Sequence, residues 1–194
     1  DTHCHLDAAE FDGDRDAVLE AARAAGVGGF LVPAVCADNF DAVAALSASR
    51  ASCCHALGIH PLYVQRAQES DLELLRARLA EGAAVAVGEI GLDGFVANGD
   101  MPLQRRYFEA QLKIARDFEL PVVLHIRRAQ DEILKYLRRI AVPGGIAHAF
   151  NGIAQAHTGP VLLSATARLL ATVLLPTPPL PEATAMIFFT PGML

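Results

Sequence analysis

Val85-Ala86-Val87-Gly88-Glu89-Ile90-Gly91 is a short apolar run carrying one carboxylate at its far end. A carboxylate buried at the end of a strand stays ionised only beside a cation or several hydrogen-bond donors. Apolar or β-branched runs of the same kind recur at Gly29–Val35, Cys53–Ile59, Val122–Ile126 and Gly145–Ala149, with a stub before His3. Helical patterns separate them at Asp14–Ala25, Asn39–Ser49, Asp71–Ala80, Leu103–Phe118 and Ala129–Ile140. The fourth is the clearest, because Leu103, Phe108, Leu112, Ala115 and Phe118 fall on one stripe at helical spacing. Strand and helix alternating at roughly 25–35 residues is the signature of βαβ units and a parallel sheet. A closed (β/α)₈ barrel needs eight strands and usually ~250 residues. Six strands are expected here, so the chain reads as a TIM (β/α)₈-type barrel truncated after its sixth strand.

Composition limits the alternatives. The chain has 194 residues, 53% hydrophobic and 20% charged, with a formal charge of -6. That excludes a disordered tail protein or a small disulfide scaffold, and argues against a broad basic face for gripping nucleic acid. Cys4, Cys36, Cys53 and Cys54 show no zinc-like spacing, and with no signal-peptide pattern the expected setting is cytoplasmic. The longest apolar stretch, Val161 to Leu175, contains Arg168 and is shorter than the ~20 residues of a membrane span. No membrane association and no obligate protein partner are expected.

The pattern breaks after Gly152. Residues 153–194 hold only Arg168 and Glu182 as charged residues, yet six of the 11 prolines. Pro176-Thr177-Pro178-Pro179-Leu180-Pro181 suits neither a helix nor a central strand. Two readings fit: a Pro-rich extension, or, the one favoured, the product of a shifted reading frame. The domain expectation is therefore a barrel portion over 1–152 and an atypical tail over 153–194.

In α/β barrels, side chains at the carboxyl ends of the strands converge on one mouth. His3 and His5 end the first strand, His60 follows the third, Glu89 and Asp93 bracket the end of the fourth, His125 lies in the fifth and His148 in the sixth. All but Asp93 are imidazoles or Glu, types that divalent transition metals accept. His3 and His5 are two apart, so in an extended segment both rings point to one side. Singly, each has an ordinary reading: surface histidines near a terminus, a carboxylate bonded to backbone N–H groups, satisfied core histidines. Together, at separate strand ends, they point to a metal site.

Asp1-Thr2-His3-Cys4-His5-Leu6-Asp7, Gly58-Ile59-His60-Pro61, Gly88-Glu89-Ile90-Gly91-Leu92-Asp93, Leu120-Pro121-Val122-Val123-Leu124-His125-Ile126-Arg127 and His148-Ala149-Phe150-Asn151-Gly152 occur in this order. In that order and content the chain resembles the TatD-type metal-dependent deoxyribonucleases over residues 1–152. Gln104, Phe108, Gln111 and Leu112 are similar to that family's fourth-helix pattern. The resemblance implies a TIM-barrel hydrolase with two divalent metal ions, Mg, Mn or Zn, acting on DNA and often trimming single strands from the 3′ end. By motif, His3 and His5 hold one ion, His125 and His148 the other, and Glu89 bridges them. It further implies a catalytic set of Glu89, His60 and Arg127, with His60 and Arg127 contacting the phosphate or supporting the ligands.

The chemistry is consistent with that set. Phosphodiester hydrolysis needs a hydroxide near neutral pH and stabilisation of charge on the attacking and leaving oxygens, which ions ~3.5–4 Å apart provide. Ligating histidines must be neutral, so activity is expected to fall in acid. Three departures stand out. The family's late Glu-Thr-Asp-x-Pro segment has no counterpart, there being no Asp after Asp131; Gly94 stands where a tyrosine is common; and the first strand is cut short at Asp1. These leave open an impaired enzyme, a non-catalytic metal-binding remnant, and another amidohydrolase-type hydrolase. The last commonly bridges its ions with a modified lysine, and only Lys113 and Lys135 exist, both in expected helices. Open edges are expected at the first and sixth strands, an aggregation hazard.

Overall fold

The computed structural model describes residues 1–97 and 99–150, and the backbone of Ala185–Phe189; side chains are described up to His148. Five parallel strands, β1 (Phe30–Pro33), β2 (Cys53–Leu57), β3 (Ala86–Asp93), β4 (Val122–Arg127) and β5 (Gly145–Phe150), lie in chain order in one sheet. Helices α1 (Arg15–Ala24), α2 (Phe40–Ala48), α3 (Glu69–Ala80), α4 (Met101–Asp117) and α5 (Gln130–Arg139) alternate with them. The sheet curls into a half-barrel of the expected (β/α) type. Among the described residues no helix is long and apolar enough to cross a membrane.

The helix boundaries follow from local chemistry. α4 starts where the Asp100 carboxylate accepts from Leu103 N at 3.0 Å, with Pro102 in the first turn, where a missing N–H costs nothing. α3 begins two residues before the expected Asp71, because Asp71 Oδ2 accepts from Gln68 N at 2.9 Å and caps the helix from within its first turn. On α4, Phe108, Leu112 and Ala115 are fully buried against the sheet. The opposite, concave face carries a separate small cluster of Leu31, Ala56, Ala86 and Val123. Side chains alternate across a strand, so His125, two residues beyond Val123, shares that concave face.

Three expectations about strands are corrected. β3 runs on past the expected Ile90 to end at Asp93, so Glu89 lies within the strand and only Asp93 stands at its end. Residues before His3 form no assigned strand, yet Leu31 N donates to Asp1 O at 2.9 Å and Cys4 N to Leu31 O at 3.1 Å, so this segment lies along the β1 edge. The edge of β5 is not open either: β6 (Ala185–Phe189) pairs with it antiparallel, Gly145 opposite Phe189 and Ala147 opposite Ile187. The Pro-rich run at 176–181, the apolar stretch at 161–175 and Glu182 lie outside the described residues.

Candidate metal centre

Among the described residues, five histidines converge on one carboxylate. His3 Nε2 lies 2.7 Å and His5 Nε2 3.6 Å from Glu89 Oε2. On the other oxygen, Oε1, His148 Nε2 stands at 2.5 Å, His125 Nδ1 at 3.0 Å and His60 Nε2 at 3.1 Å. Glu89 is 1% exposed. The backbone explains the convergence. Gly91 is in register with His125, and His125 with His148, which sets the last two rings side by side. The segment after β1 accepts from two more site residues, Glu89 N to Ala34 O at 3.0 Å and His60 N to Val35 O at 2.9 Å.

Burial alone would push the Glu89 carboxyl up, but the imidazoles of His125, His148, His3 and His5 outweigh it and hold the group far below the ordinary carboxylate range. Glu89 is therefore an anion. Burial dominates at His60 and His148 and lowers both. At His125, burial is outweighed by Glu89 and Asp93, and at His5 the bond to Glu89 wins, so both are raised.

Hydrogen-bond direction separates the rings further. His60 Nδ1 accepts from Leu62 N at 3.1 Å. A backbone N–H can only donate, so the neutral ring carries its proton on Nε2 and presents a donor, not a lone pair, to the centre. His125 has a carboxylate on each nitrogen, Glu89 Oε1 on Nδ1 and Asp93 Oδ2 on Nε2, both at 3.0 Å. A neutral ring donates to only one of them, and a carboxylate bonded to the far nitrogen is the usual support of a ligating histidine. His148 Nε2, although 2.5 Å from Oε1, is buried and has no hydrogen-bond partner, since the contact lies off the bonding direction.

That orphaned nitrogen tests the fit of a metal. A carboxylate offers about four lone-pair directions, fewer than the five imidazoles facing it. Nitrogen and oxygen donors in two groups on one carboxylate are a set that divalent cations satisfy and hydrogen bonds do not. The ligand atoms of His3, His5 and Glu89 lie within 4.8 Å of one another, as do those of His60, Glu89 and His125. His60 meets the distance, but its tautomer makes it a donor to the centre rather than a ligand.

Arg127 is placed apart from this cluster. Its guanidinium lies over the Phe95 ring, 3.8 Å from the centroid. A cleft of about 440 Å³ opens beside the centre, lined by His5, His60, Tyr63, Asp7 and Glu10 among others.

Sequence reasoning gave no role to three supports. Asp93 bonds His125 and also accepts from Phe95 N and Val96 N at 2.8 and 3.3 Å, tying the centre to the loop after β3. Gln111 accepts from Ile59 N at 2.6 Å and donates to Ile59 O at 3.0 Å, clamping the residue before His60. Gln104 does the same at Asp93, accepting from its N–H at 2.8 Å and reaching its carbonyl at 3.4 Å. The available signal was the pair of polar residues on the apolar face of α4. Gln111→Leu leaves both Ile59 backbone groups buried and unpaired, and is expected to lower stability by about 2–4 kcal/mol. A urea midpoint equal to that of the parent would contradict the clamp.

The family model described as TatD related DNase matches residues 1–162. An uncharacterized metal-dependent hydrolase of Escherichia coli K12, YjjV, is 42% identical over 158 residues, covering 80% of this chain and 61% of that protein. A 3′-5′ ssDNA/RNA exonuclease TatD of Cronobacter turicensis is 34% identical over 158 residues, covering 80% and 60%. The crystal structure of the E. coli TatD homologue YjjV superposes with a TM-score of 0.75 at 41% identity, covering 78% of this chain and 60% of that one. The chain thus spans about three fifths of the length of the relatives it matches.

Proposed function

This chain belongs to the TatD-related DNase family, and we propose that it carries a two-ion divalent centre that hydrolyses phosphodiester bonds of single-stranded DNA from the 3′ end. The observation that carries this reading is the convergence of His3, His5, His60, His125 and His148 on Glu89. In it, His3, His5 and Glu89 would hold one ion, and His125, His148 and Glu89 the second. Ions bound there supply a nucleophile near neutral pH and neutralise charge on the attacking and leaving oxygens.

The chain's own groups do the rest. Glu89 ties the two halves of the site through its two oxygens. Asp93 keeps the His125 Nε2 proton and leaves Nδ1 for ligation. His60 presents its Nε2–H from the wall of the cleft and donates to a phosphate oxygen. Arg127, fixed over Phe95, offers the planar fork that suits a phosphate in a way lysine does not.

The full chain, freed of metal and then loaded with Mn²⁺ or Mg²⁺, is expected to shorten a 5′-labelled single strand stepwise, and a chelator to stop it. Metal uptake without nucleotide release would instead support the non-catalytic reading. Turnover of amides or phosphotriesters alone would support another amidohydrolase-type activity.

A further inference from the structure

Most arginines of this acidic chain are spent on carboxylates: Arg15, Arg23, Arg50, Arg76, Arg78, Arg105, Arg106, Arg116 and Arg139 each have one within 4.0 Å. Among the described residues, Arg66, Arg127, Arg128 and Arg138 have none, and of these Arg127 and Arg128 stand together. Both guanidiniums instead lie over one ring, Phe95, at 3.8 and 4.7 Å from its centroid. Two cations that share a ring and lack a counter-ion repel each other, and an anion between or beside them would relieve that.

Phe95 is 47% exposed and Val96 40%, an apolar patch that the sheet does not cover. The patch is held in place. Gly94 N donates to Arg127 O at 2.7 Å, and a Cβ on Gly94 would come within 2.7 Å of Arg128 O, so the loops after β3 and β4 are packed backbone to backbone. Arg128 itself sits at a φ of 52°, a left-handed conformation unusual for a side-chain-bearing residue, and its side chain turns onto the ring. The patch is also tied to the centre by one carboxylate, since Asp93 bonds His125 with Oδ2 and the Phe95 and Val96 amides with Oδ1.

A half-exposed aromatic ring carrying uncompensated guanidiniums has the two parts that grip a single strand: planar groups, ring or guanidinium, on which a base stacks, and cations for its phosphates. We infer that the Phe95–Arg127–Arg128 stack is a nucleotide-binding platform, on which a base of the single strand stacks while Arg128 holds a phosphate that is not the one being cleaved. The platform rests on the phosphodiesterase reading and gives it a second contact with the strand, outside the metal centre.

The test uses the full chain and a short fluorescein-labelled oligothymidylate, with affinity read by anisotropy in EDTA so that nothing is cut. Phe95→Leu keeps an apolar side chain and removes the ring; it is expected to weaken binding about tenfold. Arg128→Gln is expected to weaken binding and to reduce the salt slope of log Kd by about 0.7, one phosphate contact on a single strand. On an abasic strand of equal length, Phe95→Leu should cost nothing further. An equal loss on normal and abasic strands would overturn base stacking, because Phe95 would then act through the shape of the loop. If both variants bind as the parent does while the parent still cuts DNA with Mn²⁺, the platform falls and the nuclease reading stands. If the parent neither binds nor cuts the strand, both fall. A change in sedimentation with strand affinity unaltered would make the patch a protein contact and overturn the platform as well.

Discussion

Glu89→Ala is expected to lower metal-dependent cleavage of a single strand about a thousandfold, the several kcal/mol that a metal pair contributes to charge stabilisation. It should also remove both ions together. Its two oxygens divide the histidines, Oε2 facing His3 and His5, and Oε1 facing His60, His125 and His148. Without the carboxylate, each half is a set of imidazoles with no anionic ligand of its own to balance a divalent charge. His5→Ala removes a ring that faces Oε2 and packs on His3, not on the other half, and should leave one ion in place. Metal content after desalting, measured by mass spectrometry, separates the two variants. A Glu89→Ala chain that keeps one ion, or that cuts within tenfold of the parent, would show that the carboxylate is not the shared bridge.

Gly91→Ala is expected to cost about 4 kcal/mol and to damage the centre with the fold. Gly91 lies in β3 opposite His125, at a φ of 149°. A Cβ built there would sit 2.0 Å from the His125 carbonyl oxygen, backbone that cannot swing aside. Strain at a positive φ and overpacking each contribute about 1–3 kcal/mol, and here they fall on the same residue. Thermal unfolding with and without Mn²⁺ checks this. A melting temperature within a degree or two of the parent's would mean that β3 and β4 separate more easily than their contact implies.

The alternation of strands and helices was legible because each element buries one continuous face, and burial writes its period into the sequence. Leu103–Phe118 was expected and Met101–Asp117 observed, the shift coming from the Asp100 cap, which is a local hydrogen bond rather than a periodicity. The five histidines and Glu89 were legible for the opposite reason: polar residues break or end apolar runs, Glu89, His125 and His148 within strands and His60 just beyond β2. What the sequence does not carry is direction. Nothing in His60 or His125 says which nitrogen holds the proton; that depends on Leu62 N and on Asp93, which only the fold brings into place. Asp93 was placed at a strand end without a role for the same reason. The pairing of β6 with β5 is antiparallel and joins segments separated in the chain by residues 151–184, so no local pattern announces it.

Helix α4 does more than cover the sheet. Gln104 and Gln111 are seven residues apart, nearly two turns, which sets their Cα atoms about 10.5 Å apart along the axis. One amide grips Asp93 at the end of β3 and the other Ile59 beyond β2. The helix is in effect a spacer bar that gauges the separation of two loops at the mouth. One residue added or lost between the glutamines would turn one clamp about 100° away from its target. What the bar fixes is the seven-residue spacing between its two amides, whatever the helix carries on its outer face.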